Sequence, residues 1–518
     1  MSLEDLGRIK VTTVSRKGES LSGAAAAITV ITQEEIRRSG VNELAETLRM
    51  APGMTVSRAN AHGWAVGTRG FSYLFANKLL VLSDGRTLYT PLFAGVFWEE
   101  ANMVLEDIDR IEIIRGPGAT LWGANAVNGV VNIITKSAQE TQGLLLSGGG
   151  GAEERAFATV RYGGRLGTNA YYRVYGKHSD HDEFTRLDGR SAGDDWWMSQ
   201  GGFRVDWEPS EINRLTLQGD YYHGQLDAFV RRPSVSPPGM FSDEVRETAE
   251  GANLLGRWTH PFSDDAELSV QLYFDRTDRD YALAREVRNT VDLDTQHRFH
   301  IGERQEIVWG LGYRYSVDDI ADSPEFTMRD PSVGLQLGSV FVQDEIALVP
   351  DRWRVTLGTK GEHNDFTGFE LQPSGRLAWT PNERQTLWAS VSRAVRTPSR
   401  TERDLTLYID PLSGFPTLPL PTLIPVSGNP DFGSEELLAY EIGYRVQVQP
   451  RLTLDLTAFY NEYDRLRSAK LLPIELRVNP ENQAYLFLPL TIQNELYGEA
   501  RGTELAVTWQ PWDWWRLR

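Results

Sequence analysis

Eight histidines and no cysteine limit the chemistry that these 518 residues can carry. Thiolate catalysis, disulfides and cysteine metal sites are excluded by composition, although that leaves the redox compartment open. His178 and His181 stand three apart in His-Ser-Asp-His-Asp, which could suggest a metal, but a polar stretch yields such pairs by chance. His297 and His300 have odd spacing on a strand-like run and would point to opposite faces. Gly148–Gly151 is not framed by a strand and a helix, so it does not read as a phosphate loop. No nucleophile stands with a base to activate it. The expectation is a protein with no catalytic residues, no metal site and no cofactor, and not an enzyme.

The elements around these residues explain more than the residues themselves. Mean hydropathy is −0.38, and no run of about 18 apolar residues appears, so helical membrane spans are excluded. A β-barrel is not excluded, because its strands put one face to lipid and the other to a wet lumen. The 47 Gly, 15 Trp, 19 Tyr and 20 Phe suit abundant turns and aromatic girdles, though a soluble β-sandwich tolerates them too. A net charge of −18 argues against a nucleic-acid partner, which would need a basic footprint. The opening MSLEDLGRIK has neither a basic nor an apolar signal-peptide region, so an exported protein is expected to have lost its export signal here.

Two grammars divide the chain. Residues 1 to about 138 read as a mixed α/β domain. Ala27–Ile31 is a short strand, and Thr32 with Glu35 makes a capping box for a helix. A second helix is predicted over Asn42–Met50, with Val41, Leu44 and Leu48 on one face, stopped by Pro52-Gly53. Strands are predicted at Lys78–Leu82, Arg110–Ile114 and Val130–Thr135, with turns at Asp84-Gly85 and Gly116-Pro117-Gly118.

From about residue 140 the period is two. Leu268, Val270, Leu272 and Phe274 alternate with polar neighbours, and so do Leu452, Leu454, Leu456 and Ala458. The connections alternate as well. Glu208–Glu211, Val349–Arg352 and Thr380–Glu383 are tight turns, whereas Leu226–Glu250 and Thr397–Gly433 read as long polar loops. Short turns at one end and long loops at the other fit a transmembrane barrel. About sixteen complete strands can be counted by this pattern. Trp512–Arg518 reads as one that has only begun, so the sequence is expected to stop before the barrel closes.

Specific motifs then suggest a family. They are Arg69-Gly70-Phe71, the run Leu79–Arg86 (LLVLSDGR), Ile111–Gly118 (IEIIRGPG) and Leu121–Thr135 (LWGANAVNGVVNIIT). The chain resembles the TonB-dependent outer-membrane receptors, near the shorter cobalamin and colicin I receptor-like members. The resemblance implies a mostly β fold, a transmembrane antiparallel barrel of about 22 strands with an N-terminal α/β plug inside it, of which about 16 are present here. The implied domains are residues 1–20 as TonB box and linker, 21–138 as plug and 139–518 as barrel. The implied function is energised import of a ferric siderophore or, alternatively, of cobalamin, haem or another chelate. The implied partners are TonB, the chelate ligand and outer-membrane lipid.

The resemblance also implies site residues. Ile9, Lys10, Val11, Thr12, Thr13 and Val14 resemble the TonB box, whose extended backbone can add a strand to a partner's sheet; an ordinary first plug strand is the alternative. Arg69 and Arg115 match two plug arginines that face two barrel glutamates, matched by Glu441 and Glu504. Alternation independently turns both glutamates to the lumen, since Tyr440 and Ile442, and Leu505 and Val507, take the other face. For ligand contact the candidates are His62, Trp64, Tyr73, Phe75, Phe93, Phe97 and Trp98 on apical plug loops, where aromatic rings could stack on a planar ligand. About half of the aromatic set is expected to fill the plug core instead. A passive porin, a barrel enzyme and a soluble β-sandwich binding module are the competing readings. A porin would not need the 138-residue domain, and a barrel enzyme should show a nucleophile with its base.

Overall fold

The structure is a computed structural model that describes residues 3–235, 238–409 and 420–518. Its N-terminal domain is built on a five-stranded sheet. Ala27–Thr32, Ile108–Arg115, Gly129–Thr135, Leu79–Ser83 and Arg86–Thr87 lie side by side, with Leu79–Ser83 and Gly129–Thr135 parallel and the other pairs antiparallel. Both faces of this sheet are covered, so its strands read as continuous apolar runs. Ile31, Ile111, Ile113, Val131 and Ile133 pack to one side with Leu44, Leu48, Trp64 and Trp98. Ile28, Val30, Leu80, Leu82 and Val130 pack to the other with Val11 and Val14. Each such fully buried isoleucine or leucine contributes about 1.5–3 kcal/mol.

Local signals set the elements. Thr32 and Glu35 form the capping box of helix Gln33–Ser39, which ends on Gly40 in the left-handed region. The second helix is shorter than its apolar pattern suggests. It is a turn of α-helix, Leu44–Thr47, running on into a 3₁₀ turn, Leu48–Met50, because Asn42 and Glu43 lie outside it as lead-in residues. Asp84 and Gly85, both at positive φ, make the two-residue hairpin between Leu79–Ser83 and Arg86–Thr87.

From Gly143 onward the chain forms one antiparallel wall around this domain. Among the described residues the continuous sheet has 22 strands, but five of them are short strands outside the wall: Phe326–Met328, Leu405–Ile409, Thr422–Ser427, Glu475–Val478 and Ala484–Phe487. Among the described residues the wall itself comprises sixteen full strands, from Gly143–Gly149 to Leu490–Trp512, and then the short Trp515–Leu517. Leu272 and Phe274 stand exposed on the outer surface, while Gln271 and Tyr273 are buried on the inner one. Among the described residues no helix is long and apolar enough to cross a membrane.

One end of the wall has tight turns such as Glu211-Ile212 and Glu383-Arg384. The other end departs from the sequence expectation in two places. Leu226–Glu250 is not a loop: Asn213–Val235 and Pro238–Ser263 stay in register up to Val235 and Pro238, a hairpin extending the wall. Beyond the apolar band both faces of a hairpin meet water, so its polar residues do not interrupt the ladder. Thr397–Gly433 contains helix Arg400–Asp404, started by a Ser399–Glu402 capping box, and the strands Leu405–Ile409 and Thr422–Ser427; residues 410–419 lie outside the described residues. The five short strands join in the order Glu475–Val478, Ala484–Phe487, Thr422–Ser427, Leu405–Ile409, Phe326–Met328. Helix Arg400–Asp404, which leads into this layer, meets the plug where Arg400 N donates to Pro91 O (2.9 Å) and Thr401 N to Leu92 O (3.0 Å).

Candidate functional site: the plug and wall interface

The N-terminal domain packs against the inner face of the wall, and many polar groups of the two meet in buried surroundings. Arg69 follows strand Trp64–Thr68, and Arg115 ends strand Ile108–Arg115. Arg69 Nη1 donates to Glu441 Oε1 at 2.7 Å and its Nε to Glu504 Oε1 at 3.0 Å, while the guanidinium lies 4.2 Å from the Phe459 ring centre. Ser390 Oγ donates to the second oxygen of Glu441 at 3.2 Å. Arg115 is held less tightly: its Nε is 3.4 Å from Glu504 Oε2, and its Nη1 donates to Pro52 O at 2.5 Å. Burial opposes the charge on Arg69, but Glu441 and Glu504 outweigh it and raise its pKa, whereas burial lowers that of Arg115. Ile442 and Leu505 are 59% and 62% exposed on the outer surface, which is why their neighbours Glu441 and Glu504 point inward.

The segment Ile9–Val14 lies against the domain. Lys10–Val11 pairs with Glu19–Ser20 in a two-residue ladder. Val11, Thr13 and Val14 are buried. Glu112 Oε2 accepts from Thr12 N (2.9 Å), Thr13 N (2.8 Å) and Thr13 Oγ1 (2.6 Å). Trp122 Nε1 donates to Thr13 O at 2.8 Å, and Asn132 Nδ2 to Thr13 Oγ1 at 3.1 Å.

The aromatic candidates divide. Trp64 and Trp98 belong to the domain core, and the Trp64 indole donates to Glu43 Oε2 at 2.9 Å. His62 is buried against the wall, its Nε2 3.2 Å from Asp227 O, and burial lowers its pKa. Each of these three has its surface covered by protein. Phe75, 52% exposed, starts a ladder of rings through Phe93, Phe97 and Tyr281 with centroids 4.9–5.3 Å apart. Tyr73 is half-buried with Arg467 over its ring at 6.0 Å. His181 stacks on Trp196 at 4.2 Å.

Several residues at this interface escaped the sequence reading. Glu112 breaks the apolar run IEIIRG, and a carboxylate inside a buried strand was the available signal. Lys78 is ion-paired with Glu435, which also accepts from Arg396; Arg396 in turn pairs with Glu402 at 2.7 Å. Burial pushes the Lys78 ammonium down to about 8 against the pull of Glu435. These four come from three distant stretches of chain, and nothing in their spacing joins them.

Comparison with known proteins places this architecture. The TonB-dependent receptor plug domain family matches residues 20–130, and the TonB dependent receptor-like β-barrel family matches residues 139–518. The vitamin B12 transporter BtuB of Vibrio vulnificus is 23% identical over 464 residues, covering 88% of this chain and 70% of the relative. The ferric enterobactin receptor of Pseudomonas aeruginosa is 24% identical over 535 residues, covering 89% and 71%. A crystal structure of a mutant of that receptor superposes with a TM-score of 0.77 at 20% identity, covering 98% of this chain and 80% of its own. A double mutant of the Serratia marcescens hemophore receptor HasR, in complex with its hemophore HasA and heme, gives 0.72 at 15% identity, covering 95% and 80%. With both domains matched and the barrel family alone spanning most of its length, the chain belongs to the TonB-dependent receptors, outer-membrane nutrient receptors and transporters.

Proposed function

We propose that this receptor imports a ferric siderophore with energy delivered by TonB to residues Ile9–Val14. The observation that carries the reading is the arrangement of Thr12 and Thr13. Their amides lie where the chain turns after strand Lys10–Val11 and are bonded to one carboxylate, Glu112, rather than to a neighbouring strand, so a partner strand could take them over without dismantling the plug sheet. Residues 1–20 then serve as coupling segment and linker, 21–138 as plug and 139–518 as barrel. Arg69 and Arg115 with Glu441 and Glu504 act as the latch between plug and wall. Charge pairs suit that task, because arriving water can replace their bonds.

For the ligand, the ring ladder Phe75, Phe93, Phe97 and Tyr281 favours a planar aromatic chelate. The relatives' ligands, enterobactin, vitamin B12 and heme, bound the choice, with cobalamin and haem as alternatives. Replacing Val11 by Pro removes a strand donor and is expected to abolish uptake while ligand binding persists. Uptake that survives the change would reject the coupling role. Quenching of tryptophan fluorescence by ferric siderophores, haem and cobalamin, compared side by side, selects the ligand.

A further inference from the structure

Two turns, one on the plug and one on the wall, each face two ways. The plug turn Thr90–Gly95 closes on itself: Thr90 N donates to Gly95 O (2.8 Å), Ala94 N to Thr90 O (3.0 Å) and Leu92 N to Thr90 Oγ1 (3.1 Å). Ala94 sits in the left-handed region with φ of 66°, and Gly95 leaves room for the Phe93 ring, which a Cβ there would strike. Consecutive side chains of the turn then go to different places. Phe93 stacks between Phe75 and Phe97, at 5.1 and 4.9 Å. Leu92 packs into the core of the short-strand layer, against Ile320, Phe326, Met328 and Leu405.

The wall turn Tyr281–Ala284 repeats this division. Its end residues exchange main-chain bonds of 3.1 Å in both directions. Tyr281 completes the ring ladder, 5.3 Å from Phe97, while Ala284 packs into the same layer core as Leu92. Ring ladder and layer core therefore share both of their supports.

The plug turn is also bonded to the helix that leads into the layer. The first N–H groups of a helix have no partner within it. In helix Arg400–Asp404 those of Arg400 and Thr401 are taken by Pro91 O and Leu92 O, and that of Glu402 by Ser399 Oγ at 3.3 Å. The fully buried Arg400 ties the helix to the wall, its Nε donating to Asp318 Oδ2 at 2.9 Å. A shift of the turn that moved Phe93 would thus drag Leu92 and two helix-capping carbonyls with it.

We propose that Leu92 is a positioning residue for ligand contact, and that through it the ring ladder and the layer of short strands form one cooperative unit. A planar ligand stacked on the ladder steadies the layer, and a docked layer holds Phe93 in place for the ligand. The inference rests on the reading of the ladder as the ligand contact. Coupling of this kind is reciprocal: the factor by which the docked layer tightens ligand binding is the factor by which the ligand stabilises the layer. Neither effect needs the layer to touch the ligand.

Hydrogen exchange on the full receptor in detergent tests the unit without any ligand. Leu92→Ala is expected to speed exchange of the Leu405–Ile409 amides at least about tenfold, and Leu92→Met, which keeps the volume, to restore it. The deciding variant is Phe93→Leu, which alters only the ring side and is expected to speed the same amides about threefold or more. Exchange at Ala27–Thr32 in the plug sheet should stay unchanged in all three. Layer amides unmoved by Phe93→Leu, or equal acceleration in the plug sheet, would overturn the unit. Ferric enterobactin serves as the probe for reciprocity: bound, as read by tryptophan quenching, it should slow the layer amides in the parent and not in Leu92→Ala. Bound ferric enterobactin that leaves the parent's layer amides unchanged would also overturn the inference. Quenching that is indifferent to Phe75→Leu would instead reject the ladder as ligand contact, and the exchange result of the ligand-free variants would stand.

Discussion

Arg69 and Glu441, separated by 372 positions in sequence, meet at 2.7 Å with side chains only 1% and 8% exposed, joining plug to wall in a dry setting. Losing one partner of a buried pair costs about 3–5 kcal/mol, chiefly from the charge left behind. Here Glu504 remains beside Arg69, so the cost of Glu441→Gln should fall near the low end, about 3 kcal/mol. The expected outcome is a lower urea midpoint for plug unfolding, followed by hydrogen exchange at the amides of Ile111–Ile114. An unchanged midpoint would show that the pair does not hold the plug.

A second prediction concerns Glu112, which accepts both the Thr12 and Thr13 amides. Hydrogen bonds to a charged group contribute about 1.5–3 kcal/mol each. Glu112→Ala should therefore speed exchange of those two amides by at least about tenfold, the factor that corresponds to roughly 1.4 kcal/mol. Exchange at Ala27–Thr32, bonded through main-chain ladders, should change far less. Equal acceleration in both stretches would mean that the substitution had loosened the whole plug.

Glu99 gives a pH dependence with a definite sign. Burial first, and neighbouring Glu100 second, push its carboxyl from the ordinary 4.5 up to about 8. Between those values the folded plug keeps a proton that the unfolded chain has released. Its contribution to stability is therefore full below 4.5, falls as pH rises through the window, and levels off above about 8. Glu99→Gln retains an acceptor for the Tyr281 hydroxyl, now 3.2 Å away, and removes the titration. The variant should match the parent in melting temperature at pH 4.5 and exceed it at pH 8, and parallel melting curves across that range would count against the assignment.

Sequence alone carried the architecture because its signals are local or periodic. Thr32 and Glu35 cap the helix they should cap, and alternation alone turned Glu441 and Glu504 inward. What escaped depends on the third dimension. Leu226–Glu250 looks like a loop because its composition is polar, yet backbone pairing to the opposite strand decides its fate. Trp64 and Trp98 occur in loop-like sequence next to exposed Phe75, and only the fold distinguishes core from vestibule. Arg16 and Lys17 find their carboxylates about 280 to 330 positions away, beyond any spacing rule.

The last prediction tests the latch without touching its charges. Gly116 follows Arg115 with φ of 113°, a conformation that side chains rarely adopt. A Cβ built there would collide with the Glu441 carboxylate and lie 2.9 Å from Arg69 Nη1. Gly116→Ala therefore combines backbone strain with a methyl group driven between the two partners. The charges all remain, so any loss must come from the backbone strain or from separating them. The expected result is a drop in the urea midpoint of plug unfolding at least as large as that of Glu441→Gln. Adding Gly116→Ala to Glu441→Gln should cost less than the sum of the two, because both changes act on one contact. Fully additive effects would mean that Gly116 acts through its backbone alone and that its closeness to Glu441 has no part in holding the plug.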